Sequence, residues 1–543
     1  MKKRTGITSV IILLIVIVEG SFSCSPANPP LPPETKPAEP VQDGTLRIAM
    51  ADFNEYMDPI QYDSYFGYAM YDSLLTFDPQ GNVIGELAES YSLSPDGKTW
   101  TFKIRPGITF HNGDTLTSAD VKFSLDRFFE SEESTNPWGF YLRNNFDSDE
   151  TPDAYTYVYH SIKPEAQLVT PFASLRILPK DYIERNGIDY FRTHPVGTGP
   201  WKFVSLTPDS ECVLEAVKEH WKRTPAFEKV IFYEVPEEFT RVAMLKRGDI
   251  DVIIGATFNM ASSLRSEGYK LKSFPLSNIL TISYQYTWKT AGPTSDKRVR
   301  QALSYAINRQ ELCDTYFNGF AEPGGRWFMD ENSWGWDPSW TSDPYDPTRA
   351  RELLVEAGYP NKYVNPVIDI NIDATWRGSS WIPDVMLILN DYWTDSGIQT
   401  RINNLESGVW TRMFFTRFVG DELIGLIGDE SEMAIGDIIP FAFSSAPIGV
   451  YHSGNMYTST GAHGTANDPK ADELYSAVLQ EVDLNKAKQL WTEFQNYAKE
   501  MWINVGIVKV YDQMVLGDQI DPNDWLELHV SLYDALSSIQ HRK

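Results

Sequence analysis

Pro195–Phe203, PVGTGPWKF, is the stretch on which the reading of this chain turns. Two prolines fix their own backbone angles, while Gly197 and Gly199 permit angles that other residues avoid. The product is a shaped loop that runs straight into Trp201-Lys202-Phe203, where apolar and polar positions alternate as in a half-buried strand. A glycine loop of this kind invites a phosphate-binding reading. That reading needs a following helix start with free N–H groups, or a Walker lysine, and neither is present. The loop therefore reads as a turn at which the chain re-enters a domain.

Working outward, 543 residues exceed what one hydrophobic core supports, so two or three domains are expected. A content of 42% hydrophobic and 22% charged residues is that of a globular protein. The 28 Tyr, 28 Phe and 16 Trp suit either a large core or a cleft that grips an organic ligand. Asp and Glu outnumber Lys and Arg by 74 to 47, a net charge of −27, which excludes a basic surface for nucleic acid.

The N-terminus has the order of a secretory signal. Lys2, Lys3 and Arg4 precede the apolar run Ile7–Val18, and small residues lead to Cys24. The run is short for a membrane span. Cys24 is placed as in a bacterial lipoprotein signal, although Ser21 and Phe22 depart from the usual residues; a plain secreted protein is the alternative. Ser25–Asp43 is rich in proline and reads as an extended tether. Cys212 and Cys313 could pair in an oxidising compartment, but two separate buried thiols are the simpler expectation. No Cys/His spacing suits a structural metal, and no cofactor is expected.

Local patterns alternate between strand and helix. Thr99–Arg105 (TWTFKIR) predicts a strand burying Trp100, Phe102 and Ile104, and Ser94-Pro-Asp-Gly97 predicts the turn before it. Thr117 with Asp120 predicts a helix start, as do Asp296, Asn308 with Glu311, Asp346-Pro347 and Asp468-Pro469. Tyr62–Thr76 reads as helical in its second half. The alternation gives an α/β class without a short repeat. Catalytic constellations are missing: there is no GxSxG, HExxH or GxxxxGK[ST], and Asp147, Asp149 and Asp153 fail as a calcium loop because Pro152 stands where glycine is needed. His452 and His463 come closest of the histidines and read as surface residues. A secreted hydrolase using an acidic pair, or a sensor lipoprotein, is the alternative of another class.

Several stretches together resemble one family. They are Thr99–Phe129, with TFKIRPGITFHNGDTLTSADVKFSLDRFF at its heart, PVGTGPWKF, Phe227–Ile253, Asp296–Asn308 (DKRVRQALSYAIN) and Asp346–Gly358 (DPTRARELLVEAG). In this order they look like the extracytoplasmic solute-binding proteins of family 5, the oligopeptide- and dipeptide-binding type of ABC importers. The resemblance implies an α/β, two-lobed periplasmic-binding-protein fold, type II-like, with an extra inserted domain in the first lobe. It divides the chain into a signal (1–23), a tether (24–44), a first-lobe main domain in three segments (45–77, 197–289, 506–543), an inserted domain (78–196) and a second lobe (290–505). Crossings near Ser283–Trp288 and Ile503–Val508 would form the hinge. It further implies a non-enzymatic, monomeric protein that is lipid-anchored outside the cytoplasmic membrane and hands a ligand to an ABC permease.

Family peptide binders carry Gly-Trp-x-x-Asp-x-x-x-Pro, whose aspartate receives the ligand's ammonium group. The counterpart is Gly425–Met433 (GLIGDESEM), with Asp429 at the aspartate, Leu426 for tryptophan and Met433 for proline. Those departures leave open an oligosaccharide, an opine-like compound or a metal chelate as ligand, and leave Asp429 open to being an exposed acidic turn. Tyr56, Tyr65, Trp288, Trp327, Trp334, Trp336 and Trp410 are the aromatic candidates for the cleft, by stacking or cation–π contact, against the plainer reading of each as core.

Overall fold

The computed structural model describes residues 44–520, apart from 54, 61–65, 79–82, 131–136, 166–167, 275–278, 285–291, 325–336, 338, 374–380, 407–416, 420–421, 425–437, 444–467, 503 and 519. Three sheets organise these residues. The first has seven strands in the order Lys270–Phe274, Asp512–Leu516, Val252–Ile254, Thr45–Met50, Lys229–Glu234, Glu211–Ala216 and Trp201–Thr207. The second has six, in the order Ala321–Pro323, Asn504–Val510, Ile279–Tyr284, Ile438–Phe443, Ile368–Asp373 and Thr400–Leu405. The third is antiparallel, with Ala88–Leu93, Thr99–Ile104, Thr156–Ser161 and Phe146–Asp153 side by side.

The strand predicted at TWTFKIR is Thr99–Ile104, and Trp100, Phe102 and Ile104 are buried as the alternation requires. Its apolar face joins Phe172, Tyr157 and the helix residues Val121, Leu125 and Phe128 in one cluster with Leu46, Ile48 and Phe232 of the seven-stranded sheet. The small sheet therefore shares its core with the large one. The six-stranded sheet builds a separate core from Leu280, Ile282, Tyr284, Val505 and Ile370 against helices Lys297–Tyr305, Pro347–Ala357 and Ile382–Asp395.

Helix starts follow the local chemistry. The carboxylates of Asp296, Asp346 and Asp468 and the amide oxygen of Asn308 each accept a first-turn N–H, satisfying donors that the helix leaves open. Asp120 reaches back to the N–H of Thr117 at 2.8 Å. Gly358 ends its helix at φ 75°, in the left-handed region. The helix expected in the second half of Tyr62–Thr76 is shorter: among the described residues only Gly67–Met70 is helical, and Leu75–Phe77 is a strand paired with Val83–Gly85. Tertiary pairing overrides the helical spacing of Tyr71, Leu74 and Leu75, all of which are buried.

The loop Pro195–Phe203 also differs from the expectation of special backbone angles. Gly197 and Gly199 are absent from the glycines with positive φ. Glycine stands there for room. A Cβ on Gly197 would lie 2.0 Å from the carbonyl oxygen of Met70, and one on Gly199 2.5 Å from that of Ala69. The loop is a place where two backbones touch.

Candidate functional site

That contact is held by buried polar groups. Gly199 N–H donates to the Met70 carbonyl at 2.9 Å. The His111 ring donates from Nε2 to the Gly199 carbonyl at 2.9 Å and accepts at Nδ1 from Gly197 N–H at 3.2 Å, a pairing that selects the neutral ring. Burial pushes the His111 imidazole down to about 4. His220 Nε2 donates to the Thr198 carbonyl at 2.9 Å, and Trp221 Nε1 donates to Asp72 at 3.1 Å. Burial raises the Asp72 carboxyl, but His220, Lys222 and the Thr198 hydroxyl outweigh it and bring the group to about 2. Nearby, Arg127 grips the fully buried Asp58 through both terminal nitrogens, at 3.3 and 2.8 Å. These groups fasten the small sheet to the large one.

The ligand-sized feature lies elsewhere, and strand direction locates it. Thr45–Met50 runs parallel to Lys229–Glu234 and Val252–Ile254. Asp512–Leu516 is antiparallel to both Val252–Ile254 and Lys270–Phe274, so the last of these joins the parallel set. Their carboxyl ends are Met50, Glu234, Ile254 and Phe274. The chain leaves Phe274 through residues 275–278 into Ile279 of the second sheet, and it returns from Val510 through Tyr511 into Asp512. In the second sheet Asn504–Val510, Ile438–Phe443, Ile368–Asp373 and Thr400–Leu405 share one direction, ending on that same side. Both sheets thus aim the carboxyl ends of their parallel strands at the edge where the chain crosses. Open α/β sheets bind ligands beyond those ends.

The segments Ser283–Trp288 and Ile503–Val508, where crossings are expected, contain strand residues of the second sheet: Ser283 and Tyr284, and Asn504 onward. The described strands that flank the crossings are Lys270–Phe274 with Ile279–Tyr284, and Asn504–Val510 with Asp512–Leu516. Beside them the two halves touch through aromatic rings. Phe258 meets Phe317 edge to face at 4.9 Å, Asn318 donates to Asn259 at 2.8 Å, and Arg265 lies 4.5 Å above the ring of Phe320. Phe320 is buried in a cluster with Ala49, Ile253 and Val515 of the first sheet.

Of the sequence-predicted site residues, Tyr56 alone lies within the described residues. It follows the first strand at the lip and is 56% exposed. Tyr65, Trp288, Trp327, Trp334, Trp336, Trp410, Asp429 and Cys24 lie outside the described residues, as do His452 and His463. Sequence reasoning missed the acidity of this lip. Asp52, Glu55 and Glu234 gather there with Asp209, whose N–H donates to Glu55 at 2.8 Å. Burial, with Asp209, Glu55 and Asp52 nearby, holds the Glu234 carboxyl above its ordinary range against the Phe53 backbone hydrogen bond. No spacing rule joins acids from three distant segments; only the strand order does. Cys212 and Cys313 are buried and free, in separate cores. Among the described residues, no group of three or more His, Cys, Asp or Glu could hold a metal ion, and no helix is long and apolar enough to cross a membrane. A surface hollow of about 380 Å³ beside Lys297, Lys499 and Trp502 lies at the opposite end of the second sheet and is not the cleft.

Residues 82–420, more than half of the chain, match the family of bacterial extracellular solute-binding proteins, family 5. The glutathione-binding protein GsiB of Pectobacterium atrosepticum is 32% identical over 312 residues, which take in 54% of this chain and 57% of that protein. The match thus spans little more than half of the relative's length. Solved structures share the fold. One is the periplasmic binding protein DppA from Helicobacter pylori in complex with the peptide STSA, with a TM-score of 0.72 at 22% identity, covering 92% of this chain and 98% of that one. Another is NikA from Brucella suis in complex with Fe(III)-EDTA, with a TM-score of 0.79 at 19% identity, covering 92% and 100%. The architecture is that of two-lobed periplasmic binding proteins.

Proposed function

Because the chain belongs to the family 5 bacterial extracellular solute-binding proteins, we propose that it captures a peptide between two lobes and delivers it to an ABC importer. The observation that carries this reading is the convergence of both sets of parallel strands on the edge where the chain crosses twice. The crossings between Phe274 and Ile279 and between Val510 and Asp512 serve as the hinge. The first lobe comprises the seven- and four-stranded sheets and the second lobe the six-stranded one. Closure follows only if the ligand contacts both lobes better when they are together. Tyr56 and the acids around Glu234 favour a ligand with a cationic head, and Asp429 receives its ammonium group from the second lobe. Cys24 carries the lipid that holds the protein outside the cytoplasmic membrane, where it works as a monomer.

Thermal shift of the purified protein with glutathione, mixed tetrapeptides and Fe(III)-EDTA tests the ligand class. Saturation at 100 times Kd adds about 2.7 kcal/mol of stability. Stabilisation by peptides, weakened by Asp429→Asn and by Tyr56→Ala, is the expected result. A shift with the chelate and none with any peptide overturns the peptide assignment and favours the second reading, a non-peptide solute, which the likeness to NikA supports.

A further inference from the structure

Besides the aromatic contact at the crossing, the described residues of the two lobes also meet at the turn that Gly97 closes. Gly97 closes the turn between Ala88–Leu93 and Thr99–Ile104, with its N–H on the Ser94 carbonyl at 2.8 Å and φ at +72°. Its neighbours Pro95 and Asp96 are exposed, yet Gly97 itself is buried. What covers it is Pro164, just past the strand Thr156–Ser161, and Val482 of the other lobe. A Cβ built on Gly97 would stand 3.0 Å from Pro164 Cβ and 2.6 Å from Val482 Cγ1. Val482 lies between helices Pro469–Gln480 and Leu484–Met501, the second of which leads into the six-stranded sheet.

Both sides of this contact are tied by local hydrogen bonds. The Gly97 carbonyl accepts from Glu165 N–H at 3.2 Å, and Lys98 Nζ donates to the Ile162 carbonyl at 2.9 Å. Across from them, Asp483 accepts the N–H of Lys486, whose ammonium pairs with Glu481. The contact is also light, because Val482 remains 40% exposed. The two meeting places differ in kind. The rings of Phe258, Phe317 and Phe320 sit beside the crossing and can stay packed through a rotation about it. The Gly97 turn belongs to the four-stranded sheet and touches the second lobe away from the rings at the crossing, so a rotation about the crossing that separates the lobes there would part it from Val482.

We propose that the Gly97 turn and Val482 form a latch between the lobes, made on closure and broken on opening, with the aromatic contact as fulcrum. The proposal rests on the binding-protein reading above for the statement that the lobes move. A glycine is needed at position 97 for the turn alone, so the test varies position 482. In a lightly made contact between two populated states, a small change in contact energy redistributes the population.

The experiment measures spin-label distances by pulsed electron resonance on the full chain carrying Cys24→Ser, with labels at Val204→Cys and Leu387→Cys, both exposed and one on each lobe. In the absence of ligand, Val482→Asp is expected to move the distribution to longer and broader distances, and Val482→Ala to move it less in the same direction. An unchanged thermal midpoint shows that the helices around position 482 remain folded. Superimposable distributions for the parent and both variants overturn the latch. Addition of glutathione and mixed tetrapeptides tests the other reading separately. If no peptide shortens the parent's distances, the peptide-binding reading fails, while the ligand-free comparison still decides the latch.

Discussion

The imidazole of His111 bridges the signature loop, donating to the Gly199 carbonyl at 2.9 Å and accepting from the Gly197 N–H at 3.2 Å. A protonated ring has no lone pair for Gly197, so the bridge is a proton-sensitive fastening. Burial already holds the group at about 4, below the ordinary value near 6.5. The sign follows from proton counts. Above about pH 6.5 neither folded nor unfolded chain binds the proton, and the stability is whole. Between 6.5 and 4 the unfolded chain binds it and the folded chain does not, so stability falls with pH. Urea titrations at stepped pH are expected to show a loss of about 1–2 kcal/mol over this window, reduced from the full linkage value because His111 keeps some exposure. His111→Gln keeps a donor and an acceptor and should flatten that slope.

Close approach, and not backbone angle, accounts for the two glycines of the loop. Gly197→Ala drives a methyl group against the Met70 carbonyl and the Tyr71 ring, which neither backbone can relieve cheaply. A loss of roughly 1–3 kcal/mol or more is expected in urea denaturation. Gly113 offers the contrast: its φ is +89°, but a Cβ there meets nothing within 4 Å. Gly113→Ala should cost only the strain of a left-handed residue, about 1 kcal/mol. Equal costs at the two sites would show that contact with Met70 is not what position 197 requires.

Asp58 lies wholly inside, held by Arg127 from the helix Ser118–Glu130, with Arg192 3.6 Å away. Removing one partner of a buried pair leaves a charge with no solvent to stabilise it. Arg127→Met and Asp58→Ala are each expected to cost about 3–5 kcal/mol. The double variant should cost clearly less than the sum, since the second change removes a charge that the first left stranded. Strict additivity in the denaturation cycle would dissolve the pair as a structural unit.

How much of this could be read beforehand depended on range. Helix starts at Asp296, Asn308, Asp346 and Asp468 are settled within four residues, so their side chains announce them. The strand at Thr99–Ile104 announces itself by alternation. Tyr62–Thr76 misleads because its apolar spacing suits a helix, while Leu75–Phe77 finds a strand partner in Val83–Gly85. Strand residues Ser283, Tyr284 and Asn504–Val508 look like links from sequence alone, because their partners in the second sheet lie far along the chain. Tryptophans are hard to assign from sequence. Trp201, Trp340, Trp393 and Trp491 are all fully buried, and nothing local separates such residues from a cleft tryptophan. The acidic lip was invisible for the opposite reason, since Asp52, Asp209 and Glu234 become neighbours only through strand order.

Glu165 presents the reverse of His111. Its side chain is buried, Oε2 accepts from Asn145 at 2.8 Å, and Oε1 has no hydrogen-bond partner. Burial pushes its carboxyl up to about 8. Below pH 4.3 both folded and unfolded chains carry the proton, and the group costs nothing. As pH rises toward 8 the unfolded chain releases it while the folded chain retains it, so stability declines across that window. Glu165→Gln keeps an oxygen for Asn145 and removes the titration. It is expected to stabilise the protein at pH 7 by on the order of 2 kcal/mol, with the advantage shrinking to nothing near pH 4. Because Glu165 also donates its N–H to Gly97, the same variant leaves the backbone of the latch in place. A variant that is less stable than the parent at pH 7 would mean that the carboxylate is ionised and matched by a cation in solution.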